Sequence, residues 1–432
     1  MKMITRLFLI VLTVFLLFAF VSVSASVETV YGDMNGDGKF DSLDVVYMSR
    51  ALANWPGYSM TGLQKTLADI DLNGSFQAID AIIASRSLAG WNGYETLPIV
   101  PEGTLPFRKG ININGFESFS TNDYDSVPST ISVLTSEDTY KNIKSQGFDH
   151  VRLAVNLWRA YLDESDNYTT EQFMWYVDTA INYALNNGLY VTLDFHGWFE
   201  IGDESNDYDE CLYVWDKVAE RYKDYDKKLS FELLNEPWYE NSRPRPYLSD
   251  SKLNDLQADL ISIIRKKGSN NATRLIICCT ADGNKAWKLS ELKLPKDDNL
   301  AVAIHEYQPY NFTHQNFSWA GLSGQTTTLA AQGGFKSATS WDFGQITSFM
   351  KKTGIPVVLN EFGLNLVKAS SEDVSTSIKG VTSFCEANNI PWAYWQYYDS
   401  GYSREGSMSL YRKNSYFGSW AWDQTALDAM FD

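Results

Sequence analysis

From residue 107 onward the chain alternates short apolar runs with longer stretches in which apolar side chains return every three or four positions. The short runs predict eight strands: Lys109–Asn114, His150–Val155, Leu189–His196, Leu229–Glu236, Arg274–Thr280, Leu300–Tyr307, Pro356–Glu361 and Pro391–Tyr397. The longer stretches predict helices between them, among them Glu171–Asn186, Lys252–Lys267 and Asp373–Asn388. Strands alternating with helices of that length build parallel sheets from repeated βα units. Residues 107–432 hold enough chain for eight such units, which predicts an α/β fold of the (β/α)₈ TIM-barrel type.

The pattern before residue 107 is different. Lys2 and Arg6 precede an apolar run from Leu7 to Val21, and Val23-Ser24-Ala25 offers small residues for cleavage. Residues 1–25 therefore read as a signal peptide, which predicts a secreted protein starting near Ser26. The run is short for a bilayer span, so a retained membrane anchor is the weaker reading.

Residues 26–92 carry a duplicated polar loop. Asp33, Asn35, Asp37, the Lys39 carbonyl, Asp41 and Asp44 fall at positions 1, 3, 5, 7, 9 and 12 of an EF-hand spacing. Gly38 supplies the sharp turn at position 6. Asp69, Asp71, Asn73, the Ser75 carbonyl, Gln77 and Asp80 repeat it. Each loop precedes apolar residues at helical spacing: Val45, Val46, Met48 and Leu52, then Ile82, Ile83 and Leu88. The spacing predicts a small all-α module holding two structural calcium ions. Position 12 is Asp in both loops rather than the bidentate Glu of calcium sensors. Residues 93–106, with Gly and Pro throughout, read as a linker.

Composition narrows the function classes. A net charge of −17 repels phosphate backbones and anionic lipids, which argues against nucleic-acid and membrane partners. A neutral polymer, or calcium, suits the surface better. With 14 Trp and 25 Tyr the chain is rich in flat rings able to stack on sugars, although a large core uses the same residues. Cys211, Cys278, Cys279 and Cys385 show neither CxxC spacing nor a Cys/His cluster, and burial as small hydrophobes is the expected role.

The polar residues that interrupt the strand pattern gather at the strands' C-terminal ends, where barrels carry their sites. These are His196 after the third strand, Asn235 and Glu236 at the fourth, His305 and Tyr307 at the sixth, Glu361 at the seventh and Trp395 in the eighth. Two Glu residues on facing strand ends are the equipment of glycoside hydrolysis; their separation, which spacing does not give, distinguishes retention from inversion. Of the other histidines, His150 reads as structural, and His314 follows the sixth strand as a substrate-contact candidate. Trp198, Trp238, Trp287 and Trp319 fall in predicted βα loops as candidate sugar platforms.

Taken together, Val151-Arg152-Leu153, Asp194-Phe-His196, Leu234-Asn235-Glu236-Pro237, His305-Glu-Tyr307, Asn360-Glu361-Phe-Gly363 and Trp392-Ala-Tyr-Trp395 resemble glycoside hydrolase family 5 over nearly all of residues 107–432. The resemblance implies Glu236 as acid/base, Glu361 as nucleophile, and Arg152 and Tyr307 as donors to the nucleophile. It also implies Asn235 on the sugar 2-OH, His196 and His305 lining the −1 subsite, and Trp395 beneath its ring. The duplicated loops resemble the dockerins of cellulosomal enzymes, which implies a cohesin partner on a scaffoldin. In that family, residues at positions 10 and 11 face the cohesin; here they are Ser42-Leu43 and Ala78-Ile79, similar pairs that leave either repeat able to dock. Gln77 departs from the usual Asp at position 9, which loosens that ligand or routes it through water.

The expectation is a secreted, cellulosome-attached, retaining endo-β-1,4-glucanase acting as a monomer on cellulose or mixed-linkage β-glucan, with no metal in catalysis. An acidic-to-neutral bell-shaped rate profile follows from one protonated and one ionised carboxyl. A mannanase or xyloglucanase keeps the mechanism and changes the polymer. A non-catalytic polysaccharide-binding barrel is the alternative from another class.

Overall fold

The computed structural model describes residues 30–37, 39–70, 76–91, 105–116, 127–162, 169–196, 205–237, 249–399 and 403–431. The expected signal peptide, the ligands Asp71, Asn73 and Ser75, most of the linker, and Trp198 and Trp238 lie outside them. No helix of the described residues is long and apolar enough to cross a membrane. The chain separates into two compact units, Met1–Ile99 and Val100–Asp432.

In the first unit, helices α1 (Ser42–Leu52), α2 (Gly62–Ala68) and α3 (Ala78–Leu88) enclose a small core of Met34, Met48, Ala68, Ile70, Ala81, Ile83 and Ala84. The loop residues double as helix caps. Asp41 accepts the Leu43 amide at 2.7 Å as N-cap of α1. Asp44, fully buried, accepts the Met34 amide at 2.9 Å on one carboxylate oxygen and the Asp41 amide at 2.8 Å on the other. Asp80 repeats the arrangement on the Ile70 amide at 2.8 Å and the Gln77 amide at 2.7 Å. The sequence duplication is therefore a structural one.

The second unit is a closed parallel barrel of eight strands in sequential order: β1 (Lys109–Phe116), β2 (His150–Val155), β3 (Tyr190–Phe195), β4 (Leu229–Glu232), β5 (Ile276–Cys278), β6 (Leu300–His305), β7 (Val357–Phe362) and β8 (Trp392–Tyr394). β8 closes on β1 through Ala393 opposite Gly110. All eight predicted strands are present, but β4, β5 and β8 are shorter than their apolar runs. The remaining residues of those runs, Asn235, Glu236 and Trp395 among them, leave the ladder and turn toward the barrel mouth.

Alternation along each strand divides the side chains between two environments. Val151, Leu153 and Val155, Val191, Leu193 and Phe195, and Leu229 and Phe231 belong to the large outer core against the helices. The residues between them face the barrel interior: Arg152, Thr192, Asp194, Ser230 and Glu232, all buried. A smaller apolar cluster takes Ile277, Ala301, Ala303 and Val358 from inward positions of other strands and Phe107 from the segment before β1. His150 belongs here as well, stacked on Phe107 at 4.1 Å with Nε2 2.8 Å from the Thr192 hydroxyl, a structural role.

β7 carries one extra residue against both neighbours. Ile304 and His305 pair with Leu359 and Glu361, so Asn360 is bulged, and Leu359 to Phe362 spans Trp392 to Tyr394 on β8. A bulge re-aims side chains. Asn360 and Glu361, neighbours that a regular strand would point to opposite faces, both reach groups inside the barrel. Beyond β8 a hairpin, β9 (Tyr411–Lys413) with β10 (Trp420–Trp422), leads to a last helix, Gln424–Phe431, whose Phe431 ring packs on Phe148 at 5.1 Å. The sequence pattern does not anticipate this hairpin, because three-residue strands carry too few positions for a period.

Gly110 tests the closure of the barrel. A Cβ there would lie 2.5 Å from the His150 ring and 3.0 Å from both the Ala393 side chain and the Trp392 carbonyl. Gly110→Ala is expected to destabilise the chain by roughly 1–3 kcal/mol through overpacking, read as a lower midpoint in urea unfolding.

Candidate active site

Arg152 is the hub of the barrel mouth. Its guanidinium, fully buried, bonds both oxygens of Glu232 at 2.7 and 2.8 Å. It also bonds Asn112 at 2.9 Å, Asn235 at 2.7 Å and Glu361 at 2.7 Å, and pairs with Asp194 at 3.0 Å. Asp194 and Glu232 are each pushed up to about 7, first by burial and then by neighbouring carboxylates, against the opposing pull of Arg152.

Around this hub the sequence-predicted residues converge. Glu361, in the bulged part of β7, accepts from Arg152 on one oxygen and from the Tyr307 hydroxyl at 3.0 Å on the other. Glu236 lies across the mouth, its side chain 21% exposed, with one oxygen 2.6 Å from His305 Nδ1. His305 Nδ1 is 3.4 Å from Glu361 as well. Burial raises the Glu236 carboxyl above its ordinary range and pushes His305 down to about 3. His196 holds Asp194 at 2.7 Å through Nδ1, meets Asn235 at 3.3 Å, and stacks on Trp395 at 5.5 Å. The two Glu residues and His305 each offer one atom such that all three lie within 4.8 Å of one another. Two carboxyls that close, one protonation-prone and one doubly hydrogen-bonded, are equipment for acid/base and nucleophilic work on one bond.

Residues 106–401 match the family model for Cellulase (glycosyl hydrolase family 5). The chain belongs to glycosyl hydrolase family 5. Residues 31–89 match the Dockerin type I domain, so this family 5 chain carries a type I dockerin before its barrel. It is similar to Endoglucanase 1 of Ruminococcus albus, 27% identical over 62% of this chain and 65% of that protein, so it spans just under two thirds of that relative. Among solved structures it resembles the cellulose synthase subunit Z of Clostridioides difficile, 29% identical with a TM-score of 0.62 over 76% of this chain and 100% of that one. It also resembles Thermotoga maritima Cel5A, solved with cellobiose and with mannotriose, 27% identical with a TM-score of 0.61 over 75% of this chain and 97% of that one.

In this family 5 barrel a cleft of about 470 Å³ opens beside Trp395, lined also by Phe317, Trp319, Asp399 and Glu405. Trp319, 67% exposed, is thus a cleft residue. Trp287 is exposed elsewhere, with the Lys288 ammonium 5.0 Å from its ring centre. His314 is buried rather than presented to solvent, stacked on Tyr310 at 4.1 Å and edge-on to Tyr307 at 5.0 Å, so it backs the site through Tyr307.

Asn112, Glu232, Asn360 and Asn284 were not singled out from sequence as site residues. Asn360 donates to Glu232 at 2.8 Å, and Asn112 donates to the Asn360 carbonyl at 2.9 Å. Glu232 had a legible signal, a carboxyl inside the apolar run Phe231–Leu234, where an unpaired charge would be costly. The four cysteines are buried and free, in keeping with packing roles.

The hub has a consequence for stability against pH. Asp194 and Glu232 titrate near 7 in the fold, against ordinary values of 3.8 and 4.5. Between those limits the folded state holds protons that the unfolded chain has released, so their contribution falls as pH rises toward 7. Urea unfolding at a series of pH values is expected to show this decline, and Glu232→Gln is expected to flatten it.

Proposed function

We propose that this chain is a secreted, cellulosome-associated endo-β-1,4-glucanase that hydrolyses cellulose or mixed-linkage β-glucan with retention of configuration. The observation that carries the reading is the approach of Glu236 and Glu361, a carboxyl oxygen from each within 4.8 Å of the other. Retaining enzymes hold their carboxyls about 5–5.5 Å apart, whereas inverting enzymes leave roughly 6.5–9.5 Å for a water. In this reading Glu236, whose carboxyl burial holds above its ordinary range, delivers its proton to the glycosidic oxygen while Glu361 attacks the anomeric carbon. Glu236 then takes a proton from the water that releases the sugar from Glu361. Arg152 and Tyr307, one on each oxygen of Glu361, favour the carboxylate as nucleophile and as leaving group. In the same reading Asn235, held by Arg152, binds the sugar 2-OH, and Trp395, stacked on His196, takes the ring.

Endoglucanase relatives support a β-glucan as substrate. A mannan is the second reading, favoured by the mannotriose complex of Cel5A.

Residues 26–92 are proposed as the docking module, with a cohesin as partner, and 107–432 as a monomeric catalytic module. Ser42 and Leu43, like Ala78 and Ile79, are exposed at equivalent places in the two repeats, which suits docking through either. Type I dockerins generally bind calcium, and the described ligands fit in kind: Asp33, Asn35, Asp37, the Lys39 carbonyl, Asp41 and Asp44, and in the second loop Asp69, Gln77 and Asp80, all offer oxygen, the donor that calcium requires. The amide ties on Asp44 and Asp80 already shape both loops. Among the described residues, however, the loop aspartates are not gathered into a cluster as tight as that of the barrel mouth. Two calcium ions would supply the charge that draws them together.

Reducing-sugar release on carboxymethyl-cellulose, barley β-glucan, glucomannan and xyloglucan tests the reading. Activity on the first two is expected in the wild type and none in Glu361→Ala, with the β-anomer appearing first by proton NMR. An α-anomer first would make the enzyme inverting, and activity confined to glucomannan would replace the substrate. Chelation with EDTA is expected to abolish cohesin binding in a pull-down while leaving hydrolysis unchanged; lost hydrolysis would move calcium into the barrel.

A further inference from the structure

A carboxylic acid has two oxygens, and a proton on the wrong one is useless to a leaving group. In Glu236 one oxygen, Oε1, is occupied by His305 Nδ1 at 2.6 Å. What that contact does depends on which ring nitrogen of His305 carries hydrogen. Asn284 decides it.

Asn284 sits in the turn Ala281–Asn284 after β5, fully buried and with φ +57, a left-handed conformation that Asn tolerates. Its side-chain oxygen accepts the Thr280 backbone N–H at 3.0 Å. Its side-chain nitrogen donates to the Asn235 backbone carbonyl at 2.5 Å. Both partners are backbone groups of fixed polarity, so the amide has one consistent orientation. The same nitrogen lies 3.3 Å from His305 Nε2. An amide nitrogen only donates, so Nε2 accepts, and a neutral ring then carries its hydrogen on Nδ1. Burial, which pushes His305 down to about 3, keeps the ring neutral through the working range.

We propose that Asn284 is a positioning residue that fixes His305 as the Nδ1–H tautomer and thereby keeps the exchangeable proton of Glu236 on Oε2, the oxygen turned away from His305. The proposal rests on Glu236 being the general acid. With Nδ1–H donating to Oε1, that oxygen is the carbonyl of the acid, and Oε2–H is free for the glycosidic oxygen. As the bond from the anomeric carbon to that oxygen breaks, the proton passes to the leaving sugar and Glu361 forms the new bond to carbon. In the second step water adds to the carbon, the bond to Glu361 breaks, and the water's proton returns to Oε2. His305 keeps its hydrogen throughout. In the opposite tautomer Nδ1 would accept, draw the proton onto Oε1 and hide it from substrate.

Asn284→Asp places an acceptor against Nε2 and selects that opposite tautomer. For the full chain, kcat/KM on barley β-glucan, which needs protonation of its leaving group, is expected to fall by about tenfold or more, up to the roughly 10²–10⁴ that general acid catalysis supplies. On dinitrophenyl β-cellobioside, whose leaving group needs no proton, it is expected to stay close to wild type. Equal losses on both substrates, or no loss on either, would overturn the proposal. Glu236→Gln should show the same split; if it does not, the acid assignment itself has failed, and if it does while Asn284→Asp does not, only the role of Asn284 falls. Should the variant not fold, ¹⁵N NMR of the wild type with labelled histidine decides independently. The His305 signals, identified by their loss in His305→Gln, are expected to show protonated Nδ1 and bare Nε2, and the reverse pattern refutes the mechanism.

Discussion

A single guanidinium ties the barrel mouth together. Arg152 reaches Asn112 on β1, Asp194 on β3, Glu232 on β4, Glu361 on β7 and Asn235 beyond β4, with no exposure to solvent. A buried cation left alone costs several kcal/mol, so its partners are conditions for its presence. Each strand that supplies a partner is thereby held in register at the height where the chemistry is proposed. Fold and site share one constraint. Burial first, and then the excess of three carboxyls over one cation, raises the affinities of Asp194 and Glu232 for protons. The site thus holds proton-accepting groups near neutrality close beside those that do the proposed chemistry.

Much of this is legible in the sequence alone. The eight strands were present in the apolar runs, because a parallel strand buried on both faces must be apolar over most of its length. Their C-terminal ends were not. The runs through Asn235, Thr280 and Tyr397 stay apolar after the ladder stops, since loops that line a buried mouth are desolvated too. Glu236, Glu361, His305 and Tyr307 stood out as polar residues at the ends of such runs. Asn284 did not: it lies in a polar turn among Asp282 and Gly283, where an Asn is ordinary, and only its two backbone partners give it meaning. His314, a substrate-contact candidate from its place after the sixth strand, lies buried beneath Tyr310, a contact that sequence spacing does not show.

The dockerin unit shows the opposite balance. Its apolar core is small, and its order is carried by carboxylates that accept backbone amides at both ends of each loop. The spacing of those residues was readable because every ligand position is fixed by loop geometry rather than by contacts from distant sequence.

The extra residue in β7 makes the position of Glu361 a matter of length as much as of identity. Side chains alternate with a period of two, so the bulge shifts the frame of the strand by one half-period just before the nucleophile. Deleting Asn360 would restore regular pairing and leave Glu361 directly after the outward Leu359, still facing the interior, but it would remove the amide that donates to Glu232. Substitutions along β7 sample shape and polarity; a deletion samples whether the interior keeps two consecutive polar side chains, Asn360 and Glu361, or one. The residue count between Val357 and Phe362 is thus what lets one strand present two neighbouring polar side chains to the same interior.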